Sequence, residues 1–168
     1  MSEAVARWRV TLGFLCGAAV LWLAQPTRAS LAVGVAIAIV GESLRVWAAG
    51  HLNKSREVTS SGPYRWVAHP LYVGSSVMGA GLAVASRRVT VAVLIAAYLA
   101  LTLTAAIKSE EAFLRRSFGD QYERYQHGEV AGAVDGRFVY ARIIANREHR
   151  AIIGLAIAVV LLLLKAIS

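Results

Sequence analysis

Read as apolar and polar positions, the chain is a series of long hydrophobic runs broken by short polar turns. Residues 8–24 are apolar and uncharged after Arg9, and 31–52, 70–86, 89–107 and 150–165 repeat the pattern. A hydrocarbon core needs about 20 apolar residues at about 1.5 Å each, so these runs approach or reach the length of membrane-crossing helices. The last run, 150–165, is marginal and fits either a span or a helix lying against the bundle. The polar turn Gln25-Pro26-Thr27-Arg28-Ala29-Ser30 places Ser30 to cap the second helix, and Arg87-Arg88 closes a tight hairpin. Phe113, Leu114 and Phe118 recur at helical spacing, which predicts that the fourth helix projects beyond the bilayer as an amphipathic extension stopped by Gly119. Residues 120–140 read as a short helix and a glycine-punctuated loop. The first run is followed by a poor cleavage context and by further spans, so it reads as a retained helix rather than a signal peptide. With no internal repeat, the expected architecture is all-α: one polytopic membrane bundle, residues 1–168, of about five transmembrane helices.

Composition agrees with that class. The 168 residues are 57% hydrophobic and 17% charged, whereas ordinary soluble domains sit near about 45–50% and about 25%. A net charge of +8 raises nucleic acid as a partner, but its placement points elsewhere. With five spans, one side holds Arg7, Arg9, Lys54, Arg56, Arg65, Lys108, Arg115, Arg116, Arg124, Arg137, Arg142, Arg147 and Arg150, and the other holds Arg28, Arg87, Arg88 and Lys165. The positive-inside bias puts the N-terminus and both long connections in the cytoplasm, where basic residues meet anionic lipid. No aromatic platforms interleave with the charge, so no nucleic-acid partner is expected. The single cysteine, Cys16, excludes an intrachain disulfide and a cysteine-based metal site.

Chemistry concentrates at one face. The connection 53–69 ends in Ser60-Ser61-Gly62-Pro63-Tyr64-Arg65-Trp66-Val67-Ala68-His69-Pro70-Leu71-Tyr72, a loop turned by Gly-Pro that enters a helix at Pro70. It supplies Thr59, Tyr64, Arg65, His69 and Tyr72; the second connection supplies Glu110, Glu111, Tyr122 and Tyr125. Alone, His69 fits an ordinary helix-opening histidine, and Glu110 and Glu111 fit solvated charges at a helix exit. The Arg87-Arg88 hairpin makes helices three and four antiparallel neighbours, which brings both sets to one membrane face. The third span is rich in small residues, as close helix packing in lipid requires. On the second span, Glu42 and Arg45 share a helical face and fit either a structural ion pair or a wall of the polar cavity.

Gly62-Pro63-Tyr64-Arg65-x-Val67-x-His69-Pro70-x-Tyr72-x-Gly74, followed by Glu110-Glu111-x-x-Leu114-x-x-x-Phe118-Gly119-x-x-Tyr122-x-x-Tyr125, resembles the isoprenylcysteine carboxyl methyltransferases. Those enzymes belong with the phospholipid methyltransferases among integral membrane proteins. Gly41-Glu42-x-x-Arg45 also fits the pattern, and the resemblance covers roughly residues 41–125. It implies S-adenosylmethionine as cofactor, with S-adenosylhomocysteine as product, and a lipophilic or membrane-embedded methyl acceptor. It implies cofactor contacts by Thr59, Tyr64, Arg65, His69, Pro70, Leu71, Tyr72, Glu110, Glu111 and Tyr125. Glu42, Arg45 and Lys108 are candidates for the catalytic step.

Methyl transfer from a sulfonium needs an aligned acceptor and little covalent help, so positioning and desolvation would carry catalysis, with no metal required. No obligate protein partner is implied. The pattern departs from the family in two places: Ala68 stands where an arginine commonly precedes His-Pro, and Ala106 stands where the prenylcysteine enzymes place an arginine for the substrate carboxylate. Asn146-Arg147-Glu148-His149-Arg150 fits a substrate gate or a helix start. Two other readings share the motifs: an NADPH-dependent reductase of the sterol-reductase type, and a non-catalytic lipid-binding scaffold.

Overall fold

The computed structural model describes residues 3–54, 58–127 and 136–167. Arg56, the 128–135 part of the glycine-punctuated loop and the side chains of Arg7 and Arg9 lie outside the described residues. The described residues form seven α-helices and no strand: α1 (Glu3–Leu23), α2 (Arg28–His51), α3 (Pro70–Ser86), α4 (Val89–Phe118), α5 (Asp120–Gln126), α6 (Tyr140–Ala145) and α7 (His149–Ile167). A short 3-10 turn at Gly62–Arg65 precedes α3. Three helices, α2, α4 and α7, are long and apolar enough to cross a membrane, while Thr11–Leu23 and Pro70–Ser86 are shorter apolar helices. The protein is an all-helical integral membrane bundle. The long side chains Phe14, Trp22, Leu101 and Val89 point outward and are largely exposed, as lipid-facing positions should be.

Helix boundaries follow local chemistry. Thr27, rather than Ser30, caps α2. Its hydroxyl accepts the Ser30 backbone N–H at 3.2 Å, and the Ser30 hydroxyl accepts the Thr27 N–H at 2.9 Å. Ser30 is therefore the third helical residue of a capping box, and it also donates to the Ala85 carbonyl at 3.2 Å. The helix starts three residues earlier than the apolar run because a capping pair, not the first hydrophobic residue, sets the boundary. Arg87 adopts the left-handed conformation that ends α3, and α4 runs without a break to Gly119, as the amphipathic extension predicts.

The core is a seam between α2 and α3, the most extensively packed pair of helices. The two run antiparallel, with Gly34 facing Gly81 and Gly41 facing Gly74. A Cβ added at Gly34 would lie 2.5 Å from the Gly81 carbonyl oxygen, and one at Gly41 would lie 2.5 Å from the Met78 nitrogen. Backbone meets backbone there, which only small residues permit. Apolar side chains fill in around the seam: Ala24, Leu31, Ala85 and Leu162 form one cluster, and Val20, Val91 and Ile95 another.

The seam sorts the connections into two ends. At one, the Gln25 N–H donates to the Ser86 carbonyl at 2.9 Å, and Lys165 Nζ donates to the Leu21 and Trp22 carbonyls at 3.0 and 2.6 Å. A lysine there satisfies carbonyls that the end of α1 leaves open. At the other end lie residues 52–54 and 58–69, α5 and α6.

Replacing Gly41 or Gly81 with Leu should wedge the seam open and lower stability by about 1–3 kcal/mol or more, because the obstacle is rigid backbone. Gly17, around which a Cβ would meet nothing within 4 Å, is the control, and Gly17→Leu should stay within about 0.5 kcal/mol. Thermal unfolding of the three variants in one detergent checks this; equal midpoints would remove the seam from its central place.

Candidate functional site

The loop before α3 is shaped for close packing. Gly62 sits at φ +57°, and a Cβ there would lie 2.5 Å from the His51 ring, so the turn needs a residue without a side chain. His51 in turn lies 3.2 Å from the Ser61 hydroxyl. Pro63 and Tyr64 are buried by this turn, and Pro70, fully buried, opens α3 behind His69. The loop thus delivers Tyr64, His69 and Tyr72 to one place without needing long flexible side chains.

α4 supplies the opposite wall. Tyr72 donates its hydroxyl to Glu110 Oε2 at 2.7 Å. His69 stands between two carboxylates, with Nδ1 3.8 Å from Glu110 and Nε2 3.4 Å from Glu111. Its ring stacks on Tyr72 with centroids 5.5 Å apart. The α5 helix closes the third side. Tyr125 donates its hydroxyl to the Tyr64 carbonyl at 2.8 Å, and Tyr122, buried, accepts from Gln126 at 3.1 Å.

These walls enclose a cavity of about 540 Å³, within the size range of small-molecule and cofactor sites. Of the residues expected from the sequence, Thr59, Tyr64, His69, Leu71, Tyr72, Glu110, Tyr125 and Arg45 line it. Pro70 and Glu111 stand behind the lining, the latter through His69. Arg65 does not line it: in the 3-10 turn Tyr64 points inward and the next residue is exposed. Lys108 does not either, because Ala106, Ser109, Glu110 and Phe113 present the cavity face of α4 and Lys108 falls on the exposed side. Glu42 lines a different cavity. Both positions where the sequence departs from the pattern it resembles, Ala68 and Ala106, are on the wall.

The cluster at 146–150 supplies what the sequence pattern missed. Arg147, at φ 61°, turns the chain sharply between α6 and α7. Glu148 is thereby buried at 4% exposure, with Oε1 2.6 Å from Arg45 Nε. Glu42 lies 3.4 Å from the same nitrogen, so the expected ion pair exists, but Glu148 holds the closer place. Arg45 Nη1 also donates to the Ser75 hydroxyl. Asn146 donates to the Ala49 and Leu52 carbonyls at 2.9 and 3.0 Å, closing the end of α2. Asn146 and Glu148 both line the polar cavity. An Asn and a Glu bracketing a helix start are the signal present in the sequence, but their partners are a hundred residues away.

Comparison with known proteins places this geometry. The phospholipid methyltransferase profile matches residues 8–121, well over half of the chain. The chain belongs to the phospholipid methyltransferase family. Protein-S-isoprenylcysteine O-methyltransferase of Schizosaccharomyces pombe is 32% identical over 121 residues, covering 72% of this chain and 47% of that protein. The nickel-cobalt-cadmium resistance protein NccN of Alcaligenes xylosoxydans xylosoxydans is 38% identical over 96 residues, 55% of this chain and 44% of its own. The cobalt-zinc-cadmium resistance protein CzcN of Cupriavidus metallidurans is 29% identical over 121 residues, 66% of this chain and 55% of its own. The chain spans about half the length of these curated relatives. No solved structure matches it significantly. The family match takes in α3 and α4, and with them His69, Tyr72, Glu110 and Glu111, but stops short of Tyr122, Tyr125 and Glu148.

Burial pushes the Tyr125 hydroxyl from 10.0 up to about 12, with the neighbouring Tyr122 adding to it. Tyr64 and Tyr122 are raised as well, both chiefly by burial and then by Glu110 or Glu111. A tyrosine whose folded pKa is raised stabilises fully below its unfolded value and loses that contribution as pH climbs through the folded one. Stability should therefore fall between about pH 10 and about pH 12. Tyr125→Phe should flatten part of that fall and lower neutral-pH stability by about 1 kcal/mol, because the Tyr64 carbonyl loses its donor. Unfolding followed across alkaline pH, with tyrosinate absorbance as the second probe, measures both.

Proposed function

We propose that this protein transfers a methyl group from S-adenosylmethionine to a lipophilic acceptor, and that the polar cavity is the cofactor site. The carrying observation is the network of His69, Tyr72 and Glu110 on the wall of a cofactor-sized cavity, backed by Glu111, inside the segment that matches the methyltransferase family. The residues present fit the group. S-adenosylmethionine carries an ammonium, a carboxylate, a sulfonium and an adenine. Glu110 answers the ammonium or a ribose hydroxyl, and Lys54, exposed at the cavity wall, answers the carboxylate. Tyr64, Tyr72, Phe113 and Tyr125 offer aromatic faces for the adenine and the sulfonium. The cofactor supplies an electrophilic methyl group when bound. The chain's own residues hold it, exclude water and keep Glu110 in place through the Tyr72 hydroxyl.

Methyl transfer is named by one relative, and metal resistance by two others. Among the described residues, no group of three or more His, Cys, Asp or Glu side chains stands together as a metal site. The family match and the cavity both favour the methyltransferase reading over a direct metal-binding one. The excess of basic residues at the cavity end supports a cytoplasmic N-terminus and cofactor site.

Calorimetry on the detergent-purified protein tests the cofactor. S-adenosylhomocysteine should bind, and His69→Ala and Glu110→Gln should each weaken binding at least about tenfold, about 1.4 kcal/mol, without shifting the unfolding midpoint comparably. Binding of NADPH in its place would favour a reductase, and binding of neither would leave a scaffold. Sidedness has its own test. In a Cys16→Ser background, Gln126→Cys should react with an impermeant thiol reagent only when the cytoplasmic face is open to it.

A further inference from the structure

A second cavity, of about 730 Å³, lies between α2 and α7. Its wall is apolar, built from residues such as Val35, Ile39, Leu155, Val159 and Val160, with Trp47 and Phe138 toward one end. Ile39, Trp47 and Val160 are exposed, so the cavity opens sideways onto the region where lipid chains would lie. One group does not belong in such a wall. Glu42 lines the cavity at 8% exposure, and neither of its carboxyl oxygens has a hydrogen-bond partner. Arg45 Nε, 3.4 Å away, carries one hydrogen, and Glu148 accepts it at 2.6 Å. Leaving a buried polar atom unmade costs about 1–3 kcal/mol, more for a charged group.

Glu42, Arg45 and Glu148 also form the partition between the two cavities, since Arg45 and Glu148 line the polar one and Glu42 the apolar one. Two carboxyls share one guanidinium, so the partition has no positive charge to offer an anionic headgroup. The other polar-bearing residues of the apolar cavity, Ser43 and Trp47, add no cation. We propose that the α2–α7 cavity is the acceptor site, and that it selects a lipophile whose head carries an O–H or N–H donor, held by Glu42, and no carboxylate. This rests on the methyltransferase reading for the word acceptor, but its chemistry can be tested by binding alone. A donor head satisfies Glu42 at the partition, and on transfer its O–H or N–H proton would pass to the Glu42 carboxyl as the C–O or C–N bond forms and the sulfonium S–CH3 bond breaks; a carboxylate head would face two like groups. A bilayer acyl chain merely filling the groove would show no preference among heads.

The test compares 1-dodecanol with dodecanoate in nanodiscs at about pH 8.5, where dodecanoate is ionised. The readout is the shift of the Trp47 emission maximum as the cavity fills, taken as the difference between the wild type and Trp47→Phe. Dodecanol should bind at least about tenfold more tightly than dodecanoate. Glu42→Gln, whose amide both donates and accepts, should bring the ratio close to one, and Ala156→Phe should abolish binding of both probes by filling the cavity. Equal binding of the two probes by the wild type, a ratio unchanged in Glu42→Gln, or full binding by Ala156→Phe would overturn the proposal. Should Glu42→Gln fail to fold, the wild-type ratio and Ala156→Phe still decide it. S-adenosylhomocysteine titrated into the same wild-type preparation separates the two readings. If it binds while the head preference is absent, the acceptor site alone falls; if it does not bind, the cofactor reading falls whatever the probes do.

Discussion

Backbone contact between α2 and α3, at Gly34 and Gly41 on one helix and Gly81 and Gly74 on the other, fixes where Arg45 stands relative to Ser75 and to the loop that ends in His69. A Cβ at Gly74 would lie 2.6 Å from the Arg45 side chain, so the same small residue that lets the helices meet also makes room for the arginine stem. In lipid, hydrophobicity does not distinguish a neighbouring helix from solvent, and close van der Waals contact must supply the attraction. That constraint leaves little freedom of rotation or register. Once the seam is set, Glu42 falls on the α7 side and Arg45 on the side of the polar cavity, one turn of helix apart.

The charges inside the bundle follow from that register. A lone arginine at this depth would be costly, and Arg45 is accepted because Glu148, Glu42 and Ser75 surround it. Such a network is a weak source of net stability, because desolvation offsets most of the attraction. Its effect is geometric. Arg45 ties α2 to the start of α7 through Glu148, while Asn146 and Arg142 bind the last carbonyls of α2. The C-terminal helix is thereby held against the cavity end of the bundle, and the space left between α2 and α7 becomes a bounded groove instead of a gap.

Most of the fold was legible because lipid imposes a simple rule, that apolar runs of sufficient length become helices. The hairpin at Arg87, the long α4 and its stop at Gly119 all followed from punctuation. The start of α2 did not, since Thr27 and Ser30 cap each other and either alone looks like a cap. Half of the polar cavity's lining was legible too: Tyr64, His69, Tyr72, Glu110 and Tyr125 come from two local motifs joined by one hairpin. Arg65 and Lys108 fall outside that lining because a residue's type and place in the chain carry no direction, and direction depends on which face of a turn or helix looks inward. Glu148 was out of reach for a different reason. Its role depends on a left-handed turn at Arg147 and a partner on α2, and nothing local encodes a contact across a hundred residues.

The two alanines on the cavity wall change its electrostatics more than their size suggests. Ala68 and Ala106 are the two departures from the pattern the sequence resembles, and both line the polar cavity. Arg45, half-buried on that wall, is already engaged with Glu148. On the proposed reading, a cofactor carboxylate would be held by Lys54 at the exposed wall, the ammonium beside it or a ribose hydroxyl by Glu110, and the sulfonium by the aromatic faces of the tyrosines. Methyl transfer turns a sulfonium into a neutral thioether, so negative and aromatic surroundings stabilise the reactant more than the product. On the same reading, such a wall would favour cofactor binding over acceleration, and the rate would come from how the acceptor is aligned. Alignment is what a rigid helix seam, with a charged partition one turn away, is built to provide.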